Sequence, residues 1–145
     1  MIKDIIESVC SNINEYINAE SEYSVYTEAV KQGLNTPCFF VGCSNYSDKL
    51  YRGNRYKAHA RIEIRFYFNP ESDTAKADTQ SILEKLWDCT EVIDYDNGQL
   101  RGMEREWENK DDGLVFYVSY GFFYYRNEEI ENMEVLKEKG VKVNG

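Results

Sequence analysis

Catalysis by a nucleophile needs a base beside it, and this chain has a single histidine, His59, to supply one. His59 stands between Ala58 and Ala60 inside a strand-like run, not at a strand end or in a loop. A histidine on the polar side of a strand is ordinarily solvated or part of an interface. Paired carboxylates could do acid–base work, and Glu104, Glu106 and Glu108 lie close in sequence. They alternate with Arg105 and Trp107, which is how a strand shows one solvated face. Cys10, Cys38, Cys43 and Cys89 form no CxxC pair, and one histidine is too few for the usual Cys/His zinc site. All four read as free thiols, mostly small core residues. Gly53-Asn54 and Arg101-Gly102 stand alone, without the GxGxxG or Walker pattern that cradles phosphates. The expectation is a protein that is not an enzyme and holds no metal and no cofactor. A small enzyme working through tyrosine or carboxylate chemistry is the contrary hypothesis, and it needs a deep polar pocket with perturbed acids.

Charge is the more informative chemistry. Lys49, Arg52, Arg55, Lys57, Arg61 and Arg65 fall in one stretch with Glu63 among them, whereas the span from Glu71 to Asp112 is strongly acidic. Complementary surfaces on one chain suit head-to-tail contact between identical copies. Arg52, Arg55, Lys57, Arg61 and Arg65 are therefore the candidate residues for a subunit or tube interface. Pairing of the same residues inside the sheet is an equal alternative.

The elements that must position these residues follow from periodicity. Ile2, Ile5, Ile6, Val9, Ile13, Tyr16 and Ile17 recur at helical spacing and predict an amphipathic first helix. Tyr23 and Val25 begin a short strand, and Cys38–Val41 opens a second that weakens toward Ser44-Asn45-Tyr46-Ser47. The clearest strand has Ala58, Ala60, Ile62, Ile64, Phe66 and Phe68 on one face and Lys57, His59, Arg61, Glu63, Arg65 and Tyr67 on the other. After Asn69-Pro70, Ser72 or Asp73 can cap a second helix whose apolar stripe is Ala75, Thr79, Ile82, Leu83, Leu86 and Trp87. Asp96-Asn97-Gly98 predicts a hairpin, and a second joins Met103–Glu108 to Leu114–Tyr125. The last strand, Val115–Phe123, is aromatic on both faces, so its outer side is expected to be covered. The fold class is α+β: a mostly antiparallel sheet with an N-terminal helix and a central helix packed on it. Residues 1–126 read as one domain, and residues 127–145 as a charged tail or short terminal helix.

At 145 residues, 42% of them hydrophobic and 14% aromatic, the chain has enough apolar surface for one core. A formal charge of −9 opposes binding to anionic membranes and, with the basic stretch excepted, to nucleic acid; no sequence-specific nucleic-acid contact and no membrane partner are expected. Lys3, Asp4 and Glu7 interrupt any leader-like apolar run, so residence in the cytoplasm is expected.

One resemblance runs through these elements. Tyr26-Thr27-Glu28-Ala29-Val30-Lys31-Gln32-Gly33-Leu34, Pro37-Cys38-Phe39-Phe40, Gly53-Asn54-Arg55-Tyr56, Leu100-Arg101-Gly102 and Val118-Ser119-Tyr120-Gly121-Phe122-Phe123 occur in that order. The chain resembles, from about Met1 to Arg126, the tail terminator or tail completion proteins of Gram-positive phages and phage-like elements. That resemblance implies a structural protein that forms a homohexameric ring, caps the tail tube, ends its polymerisation, and meets the head connector or, in a contractile tail, the sheath end. It implies partners in itself, the tube protein and a sheath or connector protein, with residence in the host cytoplasm during assembly and then in the virion or tail-like particle. A head–tail connector adaptor of the same assembly is the alternative. The family brings no catalytic residues.

Overall fold

A computed structural model describes residues 1–18, 23–27 and 35–126. The elements run α1 (Ile2–Tyr16), β1 (Ser24–Tyr26), β2 (Cys38–Arg52), β3 (Arg55–Tyr67), α2 (Ala75–Cys89), β4 (Val92–Tyr95), β5 (Gly98–Arg101), β6 (Met103–Lys110) and β7 (Gly113–Tyr125). The main sheet has the order β1-β2-β3-β7-β6, and β4-β5 form a separate ribbon. β1 pairs in parallel with β2, and β6 is antiparallel to β7. A two-residue turn joins β2 to β3, and Phe68 N–H donates to the Asp112 carbonyl at 3.0 Å where β3 ends and β7 begins. The α+β class with a mostly antiparallel sheet therefore holds. The chain falls into two compact units, residues 1–46 with 59–121, and residues 47–58 with 122–145. The tail expected as a short helix lies outside the described residues.

The larger unit is built on the apolar stripes. Ile5, Val9, Ile13 and Ile17 recur every four residues on α1 and just beyond it, and all are buried; full burial of such a side chain contributes about 1.5–3 kcal/mol each. Tyr16, counted in the same stripe by spacing, is instead exposed, because it lies off the row that meets α2 and β4. Asn12 locks that junction: its Nδ2 donates to the carbonyls of Cys89 at 2.9 Å and Val92 at 3.0 Å. Ala60, Ile62, Ile64 and Phe66 of β3 are all buried, as period two requires, and Ala58 continues the row into the smaller unit. Tyr23, Phe39 and Phe66 close that core with ring centroids 5.1–5.6 Å apart. β7 is buried on both faces from Gly113 to Phe116 and again at Val118, Ser119 and Tyr120. Phe123 lies outside that cover and is exposed.

Three local expectations change in the fold. β2 does not fade at Ser44 but continues to Arg52, because pairing with β3 sustains a strand whose side chains are mostly exposed there. Thr74, not Ser72 or Asp73, is the N-cap of α2, and it makes no side-chain cap bond; Ser72 Oγ instead accepts the Thr74 N–H at 3.2 Å, and the Thr74 hydroxyl donates to Asp78 at 3.0 Å. The β4–β5 turn is Asp96-Asn97, with φ of 48° and 63°, while Gly98 pairs with Tyr95 as the first residue of β5. Asp and Asn tolerate the left-handed backbone that such a primed turn demands. Glycine is needed elsewhere: a Cβ on Gly113 would sit 1.7 Å from the Phe66 carbonyl oxygen.

Candidate functional site

The five basic residues singled out by sequence do not form one surface of one kind. Arg61 and Arg65 lie in the larger unit, Arg52, Arg55 and Lys57 in the smaller.

In the larger unit the odd-numbered side chains of β3 meet β7 and β6. Arg61 Nη1 donates to Ser119 Oγ at 2.9 Å and to the Glu104 carbonyl at 3.3 Å. Its Nη2 pairs with the Glu106 carboxylate, and its guanidinium lies 5.0 Å from the centre of the Tyr117 ring. His59 Nε2 is 3.2 Å from Glu104 Oε1. Glu104 sits at a break in the β6–β7 register with φ of 53°, a backbone state costing a non-glycine residue roughly 1–2 kcal/mol. Arg61 and His59 help to hold it there by binding its carbonyl and its carboxylate. Arg65 pairs with Glu63; burial opposes the Arg65 charge, but the hydrogen bond and charge of Glu63 outweigh it and raise its pKa. Both arginines thus have carboxylate partners within their own chain. Arg105 does similar work on the other side of β6, donating to the Trp87 carbonyl at 2.6 Å with its guanidinium 4.9 Å from the Trp87 ring centre. A cation there also suits the negative end of α2.

The smaller unit, in its described residues, is an aromatic and cationic surface. The Gly53-Asn54 turn has φ of 57° at Gly53, the left-handed first position of a primed hairpin turn. Tyr51 and Phe123 meet edge to face at 5.2 Å, and the Arg55 guanidinium stacks 4.0 Å from the Phe123 ring centre and 5.4 Å from that of Tyr51. Lys57 Nζ is 6.0 Å from the same Phe123 ring. Tyr56 stacks on Tyr124 at 5.4 Å, Arg126 lies over Tyr56, and the Tyr124 hydroxyl donates to Asp48. Leu50 and Tyr51 are each 58% exposed, Phe123 is 41% and Tyr125 70%. Among the described residues no carboxylate lies within ion-pair distance of Lys49, Arg52, Arg55 or Lys57. Leu50 and Tyr125 were not sequence candidates; the signal was an apolar Leu50-Tyr51 pair inside a charged run, and aromatics continuing past the covered part of β7.

The described residues contain no cluster of three His, Cys, Asp or Glu able to hold a metal, and no helix long and apolar enough to cross a membrane. Cys38 and Cys89 are buried; burial first, then the Asp88 charge, pushes the Cys89 thiol up to about 12. Burial, with Glu7 nearby, pushes Cys10 up to about 11. Two open grooves lie in the larger unit. One of about 490 Å³ has Phe68, Leu83 and Trp107 in its wall, and one of about 810 Å³ has Asp4, Asp94 and Asp96. Neither holds the histidine or a cysteine. The arrangement is suited to contact through stacked cations, aromatics and charge.

Comparison with known proteins comes down on the same side. A family model described as phage tail terminator protein matches residues 4–132. No curated protein sequence matches. Solved structures also align; one covers 83% of this chain and 97% of its own, at 11% identity and a TM-score of 0.38, a likeness too distant to add to the family match.

Proposed function

The chain belongs to the phage tail terminator family, a structural component of phage tail assembly, and from that premise we propose that it works as a homohexameric ring without chemistry of its own. The ring caps the tail tube, ends its polymerisation, and presents its other side to the head connector or, in a contractile tail, to the end of the sheath. The observation that supports a ring is the partition of charge between the two units. Residues 47–58 and 122–145 carry eight bases against six acids, a net charge of +2, with Lys49, Arg52, Arg55 and Lys57 gathered in the first of these segments. Residues 1–46 and 59–121 carry twenty acids and nine bases, a net −11. Unlike surfaces on one chain favour a head-to-tail contact, and such contacts close into rings when the rotation allows.

The test is a tube-length assay. Tube protein is polymerised with and without the purified chain, and lengths are measured by electron microscopy. Shorter or capped tubes are expected at substoichiometric addition. Unchanged lengths, with the chain bound only to the portal-side connector, would transfer the assignment to a head–tail adaptor.

A further inference from the structure

We propose that the Tyr51–Arg55–Phe123 face of the smaller unit is the docking surface for a second copy of this chain, received on that copy's acidic larger unit; the inference rests on the ring reading above. Three observations converge on it. First, Leu50, Tyr51, Phe123 and Tyr125 expose large apolar side chains within a few strand residues, and soluble chains rarely leave such a cluster uncovered without a use for it.

Second, the cations of the two units are treated differently. In the larger unit Lys3, Arg61, Arg65, Arg101 and Lys110 each have a carboxylate partner, while Arg105 binds the Trp87 carbonyl instead and Lys85 has no ion pair among the described residues. In the smaller, Lys49, Arg52, Arg55 and Lys57 have none among the described residues, and Arg55 Nε is enclosed with no acceptor among them either. An arginine held over an aromatic ring with its charge unmatched is pre-organised for a carboxylate from outside. Third, the net −11 of the larger unit supplies the complement, and among the described residues Asp94 and Asp96 have no ion pair. Aromatic and arginine anchors ringed by charge are the composition of interface hot spots. Nucleic acid would also suit cations beside aromatics, but the acidic bulk of the chain repels phosphate.

The experiment uses the full chain. Sedimentation across a salt series reads the assembly constant for the natural protein, for Arg52→Glu with Lys57→Glu, and for Phe123→Ser. Arg52 and Lys57 are exposed and touch little, so their reversal leaves the fold intact, which the thermal midpoint checks. Subunit dissociation is expected to become roughly 30-fold easier in each variant, the size of a lost hot spot, and salt should loosen the natural ring. In parallel, carbodiimide cross-linking of mixed light and heavy chains, which needs no variant, should join Lys49 or Lys57 of one copy to carboxylates of the larger unit in another. Variant rings that assemble and cap tubes normally would overturn this inference alone. So would cross-links confined to the same chain's carboxylates beyond residue 127, or variants that keep the ring but lose binding to tubes or to duplex DNA. A natural chain that stays monomeric even on tube ends would overturn both proposals.

Discussion

Replacing Arg61 by methionine should cost stability, even though the residue reads from sequence as part of a basic surface. Methionine keeps an unbranched apolar stem of similar reach and removes the guanidinium. Ser119, fully buried, then loses the donor to its hydroxyl at 2.9 Å, and the Glu104 carbonyl loses its donor at 3.3 Å while remaining in a left-handed backbone. The Glu106 ion pair counts for less, because its carboxylate is 70% exposed and the pair is screened to about 1 kcal/mol or below. The cation over Tyr117 adds about 0.5–1 kcal/mol, part of which the thioether recovers. A buried hydroxyl left unsatisfied costs about 1–3 kcal/mol. Together the loss should be about 2 kcal/mol, lowering the midpoint of a domain this size by about 4–8 °C. Thermal and urea denaturation of Arg61→Met beside Lys3→Ala are the assay, the second variant, at a side chain 85% exposed, being expected to stay within about 0.5 kcal/mol of the natural protein. Equal midpoints for Arg61→Met and the natural chain would mean that the hydrogen bonds to β6 and β7 do not hold the sheet face together.

Other perturbations test other parts of the fold. Tyr120→Phe removes a buried hydroxyl that donates to the Thr90 carbonyl at 2.8 Å, and should destabilise by about 1–3 kcal/mol in the same urea assay. Gly113→Ala drives a methyl into the Phe66 carbonyl oxygen and should displace the β6–β7 turn, seen as loss of protection at the Phe68 amide in hydrogen exchange. The native thiols of Cys10 and Cys89, at about 11 and about 12, hold their protons more tightly than the unfolded thiols at 9.0. Their contribution is therefore complete below about pH 9 and is lost as pH rises from there toward 12, so stability should fall across that alkaline window. Alkylation should label Cys89 only after unfolding, since its thiol is both buried and protonated.

Local pattern carried much of the architecture. The four-residue rhythm from Ile5 to Ile17 and the alternation from Ala58 to Phe66 each encode a buried face within one element, so they can be read without knowing the partner. β2 beyond Ser44 has no such face; the strand exists there because β3 pairs with it, which is a nonlocal cause. The Asp96-Asn97-Gly98 signal located the hairpin, and the turn itself takes only its first two residues, since Asp96 and Asn97 themselves accept positive φ. The same division separates the basic residues. Arg61 finds Glu106 across two strands, a partner that spacing cannot reveal, whereas Arg55 lies over the Tyr51 and Phe123 rings with no carboxylate partner among the described residues. Leu50 and Tyr125 are exposed because no described element covers them, and an uncovered apolar side chain looks like a core residue until the fold is known.

The most direct measurement is cryo-electron microscopy of tube ends assembled in the presence of this protein. A closed ring of copies seated on one end, with the Arg55 face turned toward a neighbouring subunit, is the predicted image. Bare ends, with the protein remaining a single free chain in the surrounding solution, would contradict it.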